Sequence, residues 1–266
     1  MTHDRPFSGY AMALPPSSSL EEDLAKRAGR ATLETMSKHE MRQNLETVRG
    51  QIAEAARRSG RNSGSVTLVA VTKRSHPEQV RHLVELGASE LGENYPQELR
   101  RKAEALADLP VRWHLIGHLQ GNKAKATFPL VRMIHAVDSP KLLRTLDAMA
   151  VEHAEPPEIL LQVNTSGEAS KHGWSADQIL SDADEIAACR AIPVAGLMTI
   201  AGLGTSAEEA RPSFARLREV RDALRARTGL TLDALSMGMS NDFTVAIEEG
   251  ATLVRVGSAL FEGVRE

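Results

Sequence analysis

Leu68-Val69-Ala70-Val71-Thr72-Lys73 is an apolar run that ends on a lysine. A strand buried on both faces reads as a near-continuous apolar run, and it does not carry an ammonium in its middle. Lys73 therefore belongs at the strand's carboxyl end. In a barrel of alternating strands and helices, side chains at that end point into the mouth where the chemistry is done. A lysine amine taken out of water falls from its ordinary pKa of about 10.4 toward neutrality, and it can condense with an aldehyde. A lone lysine beside Arg74 is better read as a solvated loop residue, so the question is whether the rest of the chain builds a site around it.

Outward from this run, the same alternation repeats to the carboxyl end. Upstream, Leu45, Val48, Ile52 and Ala55 or Ala56 share one helical face from Met41 onward, with Gly60 as a stop. This helix is expected to pack under the first strand. Downstream, Pro77 opens a helix closed by Gly87, and a short strand follows at residues 90–92. Pro96 starts a helix carrying Leu99, Ala103 and Leu106. Strands are expected at 111–116, 133–137, 159–163 and 194–199, near Ser236, and at 253–256. Helices are expected at 121–130, from Pro140 behind a Ser139 cap, from Ser175 with its Gln178 partner to about Cys189, from Ser206 with Glu209, and at 241–249 closed by Gly250. Eight strands, each followed by a helix except the last, predict an α/β fold: a single (β/α)8 TIM barrel over residues 39–266. An open doubly wound sheet would carry a glycine-rich turn after its first strand, where this chain has Lys73-Arg74-Ser75.

The 266 residues are 42% hydrophobic and 25% charged with a formal net charge of -3, which is ordinary for a globular chain and lacks the cationic excess of a nucleic-acid footprint. A single cysteine, Cys189, leaves no internal disulfide and fits a reducing compartment. No apolar stretch is long enough to span a bilayer and no signal peptide opens the chain, so the expected address is cytoplasmic, without a membrane partner. Residues 1–38, with Pro15-Pro16 and then Glu21-Glu22-Asp23, lack apolar periodicity. They read as a mobile extension with at most one frayed helix.

Polar residues gather after the expected strand ends: Lys73, then Glu93-Asn94-Tyr95, His118 with Gln120 and Asn122, Asp138, Asn164-Thr165-Ser166-Gly167, Ser236-Met237-Gly238-Met239-Ser240, and Gly257-Ser258. Singly, each is better read as a turn former or cap. The last two clusters are more specific, because barrels of this kind often hold a phosphate in the loops after strands seven and eight. Gly238 and Gly257 let the backbone come close, Ser240 would open the short helix, and Ser258 adds a hydroxyl. Arg255 interrupts the apolar strand Leu253-Val254-Arg255-Val256. A buried guanidinium needs an acceptor, which an internal salt bridge or an unprotonated ligand ring nitrogen in the mouth would supply. His114 and His118 have helical ligand spacing but fall on a strand and its exit, so zinc ranks low.

Several of these stretches closely resemble the pyridoxal phosphate homeostasis protein family, known as the YggS/PROSC family. They are Ala70-Val71-Thr72-Lys73, Leu91-Gly92-Glu93-Asn94-Tyr95 with Gln97-Glu98, Trp113 through Lys123, Val163-Asn164-Thr165-Ser166-Gly167-Glu168 with Lys171 and Gly173, Gly196-Leu197-Met198-Thr199, Ser236 through Asp242, and Val254-Arg255-Val256-Gly257-Ser258. The resemblance implies a barrel like the amino-terminal domain of alanine racemase without its carboxyl-terminal β domain. It also implies pyridoxal 5'-phosphate as a Schiff base on Lys73, Asn94 near the ring, Arg255 at the pyridine nitrogen, and Ser240, Gly257 and Ser258 at the phosphate. The chain departs from the family in its long segment before Met41 and in Phe261-Glu262-Gly263, where glycine would directly follow phenylalanine.

The implied function is a non-catalytic binder that buffers or delivers pyridoxal phosphate, as a monomer, with pyridoxal-phosphate-dependent apoenzymes as its partners. The alternative is an amino-acid racemase or decarboxylase on the same cofactor. Two things weigh against it: the chain ends with the eighth strand, and an arginine at the ring nitrogen weakens the electron sink. A cofactor-free interaction protein would leave the clustered rim residues unexplained.

Overall fold

The structure, a computed structural model, describes residues 17–168, 172–202 and 206–264, with the side chains of the first helix described from Met36 onward. The Pro15-Pro16 segment and Lys171 lie outside the described residues. Eight parallel strands close into a barrel in the order β1 (Thr67–Val71), β2 (Glu90–Glu93), β3 (Arg112–Leu115), β4 (Met133–Val137), β5 (Glu158–Asn164), β7 (Val194–Met198), β8 (Ala234–Ser236) and β9 (Leu253–Val256), with β9 back against β1. Strand alternation divides the side chains between two cores. Val69, Val71, Ile116, Met133, Leu160, Met198 and Leu253 pack inside the barrel. Ala70, Leu91, Leu115, Ile134, Leu161, Leu197 and Val254 face outward into the larger core beneath the helices.

The helices follow the signals in the sequence. Pro77 and Pro96 begin α2 (Pro77–Glu85) and α3 (Pro96–Ala105). Ser139 caps α5 (Pro140–Ala150) by accepting from Leu142 N–H, after α4 (Gly121–Thr127). Capping boxes open α6 (Ala176–Ser181) at Ser175–Gln178 and α8 (Ala207–Thr228) at Ser206–Glu209.

Four details differ from expectation. The helix anticipated from Met41 begins at Ser17, and this α1 (Ser17–Arg58) passes residue 38 without a break. Its buried face of Met41, Leu45, Val48 and Ile52 lies beside α2 and α9 (Phe243–Glu248) rather than under β1 alone. Asn44 ties it to the final turn by donating to the carbonyls of Leu260 and Glu262, so the departure at Phe261-Glu262-Gly263 is part of this helix's dock. A ninth strand, β6 (Trp174–Ser175), pairs outside the barrel with the end of β5. It is too short to leave a periodic signature, and Gly173 permits it: a Cβ there would stand 2.5 Å from the Gln162 carbonyl oxygen. The helix expected from Ser175 to Cys189 is broken at Asp182 into α6 and α7 (Ala183–Ala188), with the Asp182 carboxylate accepting the Trp174 indole N–H at 2.8 Å.

Candidate functional site

β1 stops at Val71, and Lys73 follows in a turn closed by Ser75 N–H donating to the Thr72 carbonyl. Val69 and Val71 face the barrel interior, and Lys73 lies two residues past Val71, at the carboxyl end of the barrel. Its ammonium is exposed and has no hydrogen-bond or ion-pair partner among the described residues. Thr72 is fully buried. Its hydroxyl donates to Glu93 Oε1 at 2.6 Å, and Lys102 Nζ reaches both that oxygen at 2.6 Å and the Thr72 carbonyl. Lys102 is 1% exposed and Glu93 is fully buried, so an ion pair between α3 and β2 clamps the residue just before Lys73. Sequence reasoning placed Glu93 at the rim and missed Lys102. The available signal was its place on the buried stripe Leu99, Lys102, Leu106.

Across the mouth, the loops after β8 and β9 meet on one atom. Gly257 N–H and Ala259 N–H both point at Ser240 Oγ, at 3.2 and 3.4 Å. Two converging backbone donors are what an anionic oxygen requires. Glycine is needed at Gly238, and Gly257 packs closely on β1. Gly238 has φ +93 and a Cβ there would lie 2.6 Å from Ala246 Cβ, while a Cβ on Gly257 would come 3.2 Å from Val71 Cβ. That second contact also sets the cradle directly beside the end of β1, two residues before Lys73. The expectation that Ser240 opens the short helix is corrected: α9 begins at Phe243 with Asp242 at its cap position, the Asp242 carboxylate accepts from Met239 N–H, and Ser240 turns instead to the β9 loop. Burial raises the Asp242 carboxyl, against the Met239 N–H and the charge of Arg255. Ser258 is exposed, at the start of the last 3-10 turn.

Arg255 lies inside the barrel, 5% exposed. Nη1 donates to Ser236 Oγ at 2.5 Å and Nη2 to the Thr199 carbonyl at 2.9 Å. Burial lowers its pKa to about 10, against the charge of Asp242, so it remains a cation and a donor at neutral pH. Its protein acceptors are thus a hydroxyl and a carbonyl rather than a salt-bridging carboxylate, and Nε donates to no protein group among the described residues. Asn94 is half-buried at the exit of β2, and Gly117 fixes its backbone: a Cβ at Gly117 would stand 2.2 Å from the Asn94 carbonyl oxygen. The Asn94 amide is not engaged by another described side chain.

The remaining rim residues separate by role. His118 Nδ1 pairs with Asp138 Oδ2 at 2.8 Å, and its ring stacks on His172 at 5.2 Å. Asn164 and Ser166 serve their own loop, through Asn164 Nδ2 to the Glu168 carbonyl and Ser166 Oγ to Asn164 Oδ1. His114 turns into the barrel toward Glu90 and His135, so it shares no ligand position with His118. No helix among the described residues is long and apolar enough to cross a membrane.

Comparison with known proteins places this geometry. A family model described as alanine racemase, N-terminal domain, matches residues 39–264. A protein from Aquifex aeolicus called pyridoxal phosphate homeostasis protein is 38% identical over 82% of this chain and 96% of its own length. One of the same name from Pseudomonas aeruginosa is 39% identical over 84% of this chain and 95% of its own. The structure of PipY from Synechococcus elongatus with pyridoxal phosphate bound superposes with a TM-score of 0.75 at 35% identity, covering 83% of this chain and 99% of PipY. The chain therefore belongs to the pyridoxal phosphate homeostasis protein family, within the alanine racemase N-terminal domain family.

Proposed function

We propose that the protein binds pyridoxal 5'-phosphate at this mouth and serves pyridoxal phosphate homeostasis, holding the cofactor and handing it on rather than turning over a substrate. The observation that carries this reading is that Ser240 Oγ accepts from both Gly257 and Ala259 N–H beside the end of β1, which leaves its hydroxyl hydrogen free to donate to a phosphate oxygen, with the exposed, unpaired Lys73 two residues past that strand end. This donor set fits a phosphorylated, ring-bearing aldehyde: the Ser240 and Ser258 hydroxyls for the phosphate, and a guanidinium for a ring nitrogen.

When bound, the cofactor supplies an aldehyde that a primary amine captures reversibly. Lys73 is the amine we assign to that capture. The cradle orients the phosphate, Asn94 lies beside the ring, and Arg255 donates to the ring nitrogen. Because a guanidinium keeps its proton, it favours an unprotonated ring nitrogen and so a weaker electron sink, which suits storage better than carbanion chemistry. The recipients are apoenzymes that use the same cofactor, met in the cytoplasm. The relatives carry the name of a homeostasis protein rather than of an enzyme. The test is titration of purified protein with pyridoxal phosphate, followed by absorbance and by retention through desalting. Stoichiometric retention with background racemisation and decarboxylation is expected, and either an absence of binding or robust turnover would contradict the reading.

A further inference from the structure

The interior of a (β/α)8 barrel is ordinarily filled by branched apolar side chains. Here a line of polar groups crosses it. Glu90 Oε2, at the start of β2, meets His114 Nε2 on β3 at 2.8 Å. His114 Nδ1 meets His135 Nε2 on β4 at 2.9 Å, and His135 Nδ1 meets Ser236 Oγ on β8 at 2.8 Å. The same Ser236 oxygen accepts from Arg255 Nη1 on β9. The four inner members, His114, His135, Ser236 and Arg255, are buried. Glu90 is part-exposed at an opening of about 250 Å³ at the amino-terminal end of the barrel, which is also lined by His114, Arg132 and Glu158.

The hydrogens in this line are fixed from its two ends. Arg255 can only donate, and an ionised Glu90 can only accept. With Ser236 accepting from Arg255, its hydroxyl donates to His135 Nδ1. His135 then donates from Nε2 to His114 Nδ1, and His114 donates from Nε2 to Glu90. Every member is satisfied only if both imidazoles are neutral and all four hydrogens point from Arg255 toward Glu90. Burial holds His135 well below the ordinary histidine range, which keeps it neutral. Burial works to raise the Glu90 carboxyl, but the hydrogen bond from His114 and the charge of Arg112 outweigh it and hold the acid ionised.

We propose that this line couples the amino-terminal opening to the cofactor mouth, so that proton uptake by the Glu90–His114 pair changes how Ser236 engages Arg255. The proposal rests on the reading of Arg255 as the group that meets the cofactor ring. One proton added to the line makes His114 a donor on both nitrogens: His135 passes its Nε2 hydrogen to His114 Nδ1 and takes the Ser236 hydrogen on its Nδ1, and the added proton restores the Ser236 hydroxyl. His135, still neutral, then carries its single hydrogen on Nδ1 and donates to Ser236. The Ser236 oxygen accepts from His135 and Arg255 together, its own hydrogen turns away, and the bond that orients the guanidinium weakens. The charged and titratable groups facing the pair are Arg112, which bonds Glu90 Oε1 at 2.5 Å, Arg132 with Glu158 across the opening at 3.2 Å, His135 and Arg255 within the barrel, and Asp242 behind Arg255. In this arrangement the fold carries an input for pH on the face opposite its cofactor.

The test is a mutant cycle read in cofactor-free protein by the side-chain N–H resonances of Arg255 and the ring nitrogens of His135. Glu90→Gln, at the solvent-facing end, is expected to shift the Arg255 resonances at the far end of the barrel, and Ser236→Ala is expected to abolish that response. A Glu90→Gln shift confined to His114, or one that persists unchanged in the Ser236→Ala background, would overturn the coupling. The wild-type His135 ring is expected to show hydrogen on Nε2 at neutral pH, and a doubly protonated ring would contradict the assignment. The same proteins titrated with pyridoxal phosphate separate the two readings. Failure of wild type to bind the cofactor counts against the function, while the resonance coupling stands or falls without any cofactor present.

Discussion

The Ser240 hydroxyl accepts the Gly257 N–H across 3.2 Å, joining two loops 17 residues apart into one cradle. Ser240→Ala leaves the Gly257 and Ala259 donors without their acceptor and, on the proposed reading, removes a hydroxyl that faces the phosphate. The expected result is about tenfold weaker retention of pyridoxal phosphate, as for loss of one hydrogen-bonding group worth about 1–1.5 kcal/mol. Absorbance titration checks it, and an unchanged affinity would remove Ser240 from the cradle.

Gly238 occupies the left-handed region with no room for a side chain, since a Cβ would meet both Ala246 Cβ and Phe243 Cα at under 3 Å. Gly238→Ala therefore combines backbone strain with overpacking and is expected to cost about 2 kcal/mol or more in denaturant unfolding. Gly121→Ala, with open space at its Cβ, serves as the control and is expected to stay near wild type.

The buried Lys102–Glu93 pair holds Thr72 in place, so Lys102→Met leaves a carboxylate fully buried without its counter-charge. Removing one partner of such a pair costs about 3–5 kcal/mol, or about 2–4 °C in Tm for each kcal/mol in a chain of this size. Combining it with Glu93→Gln removes the orphaned charge and is expected to restore part of the loss. A thermal melt of Lys102→Met equal to wild type would contradict the clamp.

His135 titrates far below an ordinary histidine, chiefly through burial. The unfolded chain therefore binds a proton that the folded chain refuses, and acid favours unfolding. Stability is expected to fall as pH drops through about 6.5, by up to about 1.4 kcal/mol per pH unit for this one group. In His135→Asn that part of the slope is expected to vanish. Urea unfolding midpoints between neutral and mildly acidic pH measure it, and identical slopes in both proteins would refute the assignment.

The barrel was legible because strands such as β1, β5 and β7 are largely apolar runs stopped by a polar residue, and most of the helices between the strands open on Pro or Ser. Lys73 could be placed by the same logic, since an ammonium cannot lie inside a doubly buried strand. What escaped reading depends on partners distant in the chain. Lys102 sits on an apolar stripe, yet its acceptor lies on β2. Ser236 and Thr199 look like strand-end residues until β7, β8 and β9 bring them to Arg255. Ser240 looks like a cap until the β9 loop turns its backbone toward it. β6 is two residues long, and the helix break falls at Asp182, whose carboxylate accepts from Trp174, a partner eight residues upstream.

The central claim concerns the amine of Lys73, and borohydride reduction of the protein mixed with pyridoxal phosphate, followed by peptide mapping, tests it most directly. The account predicts a single pyridoxyl group fixed on Lys73 and none in Lys73→Ala. A group fixed on another lysine, or an equal yield from Lys73→Ala, would contradict it.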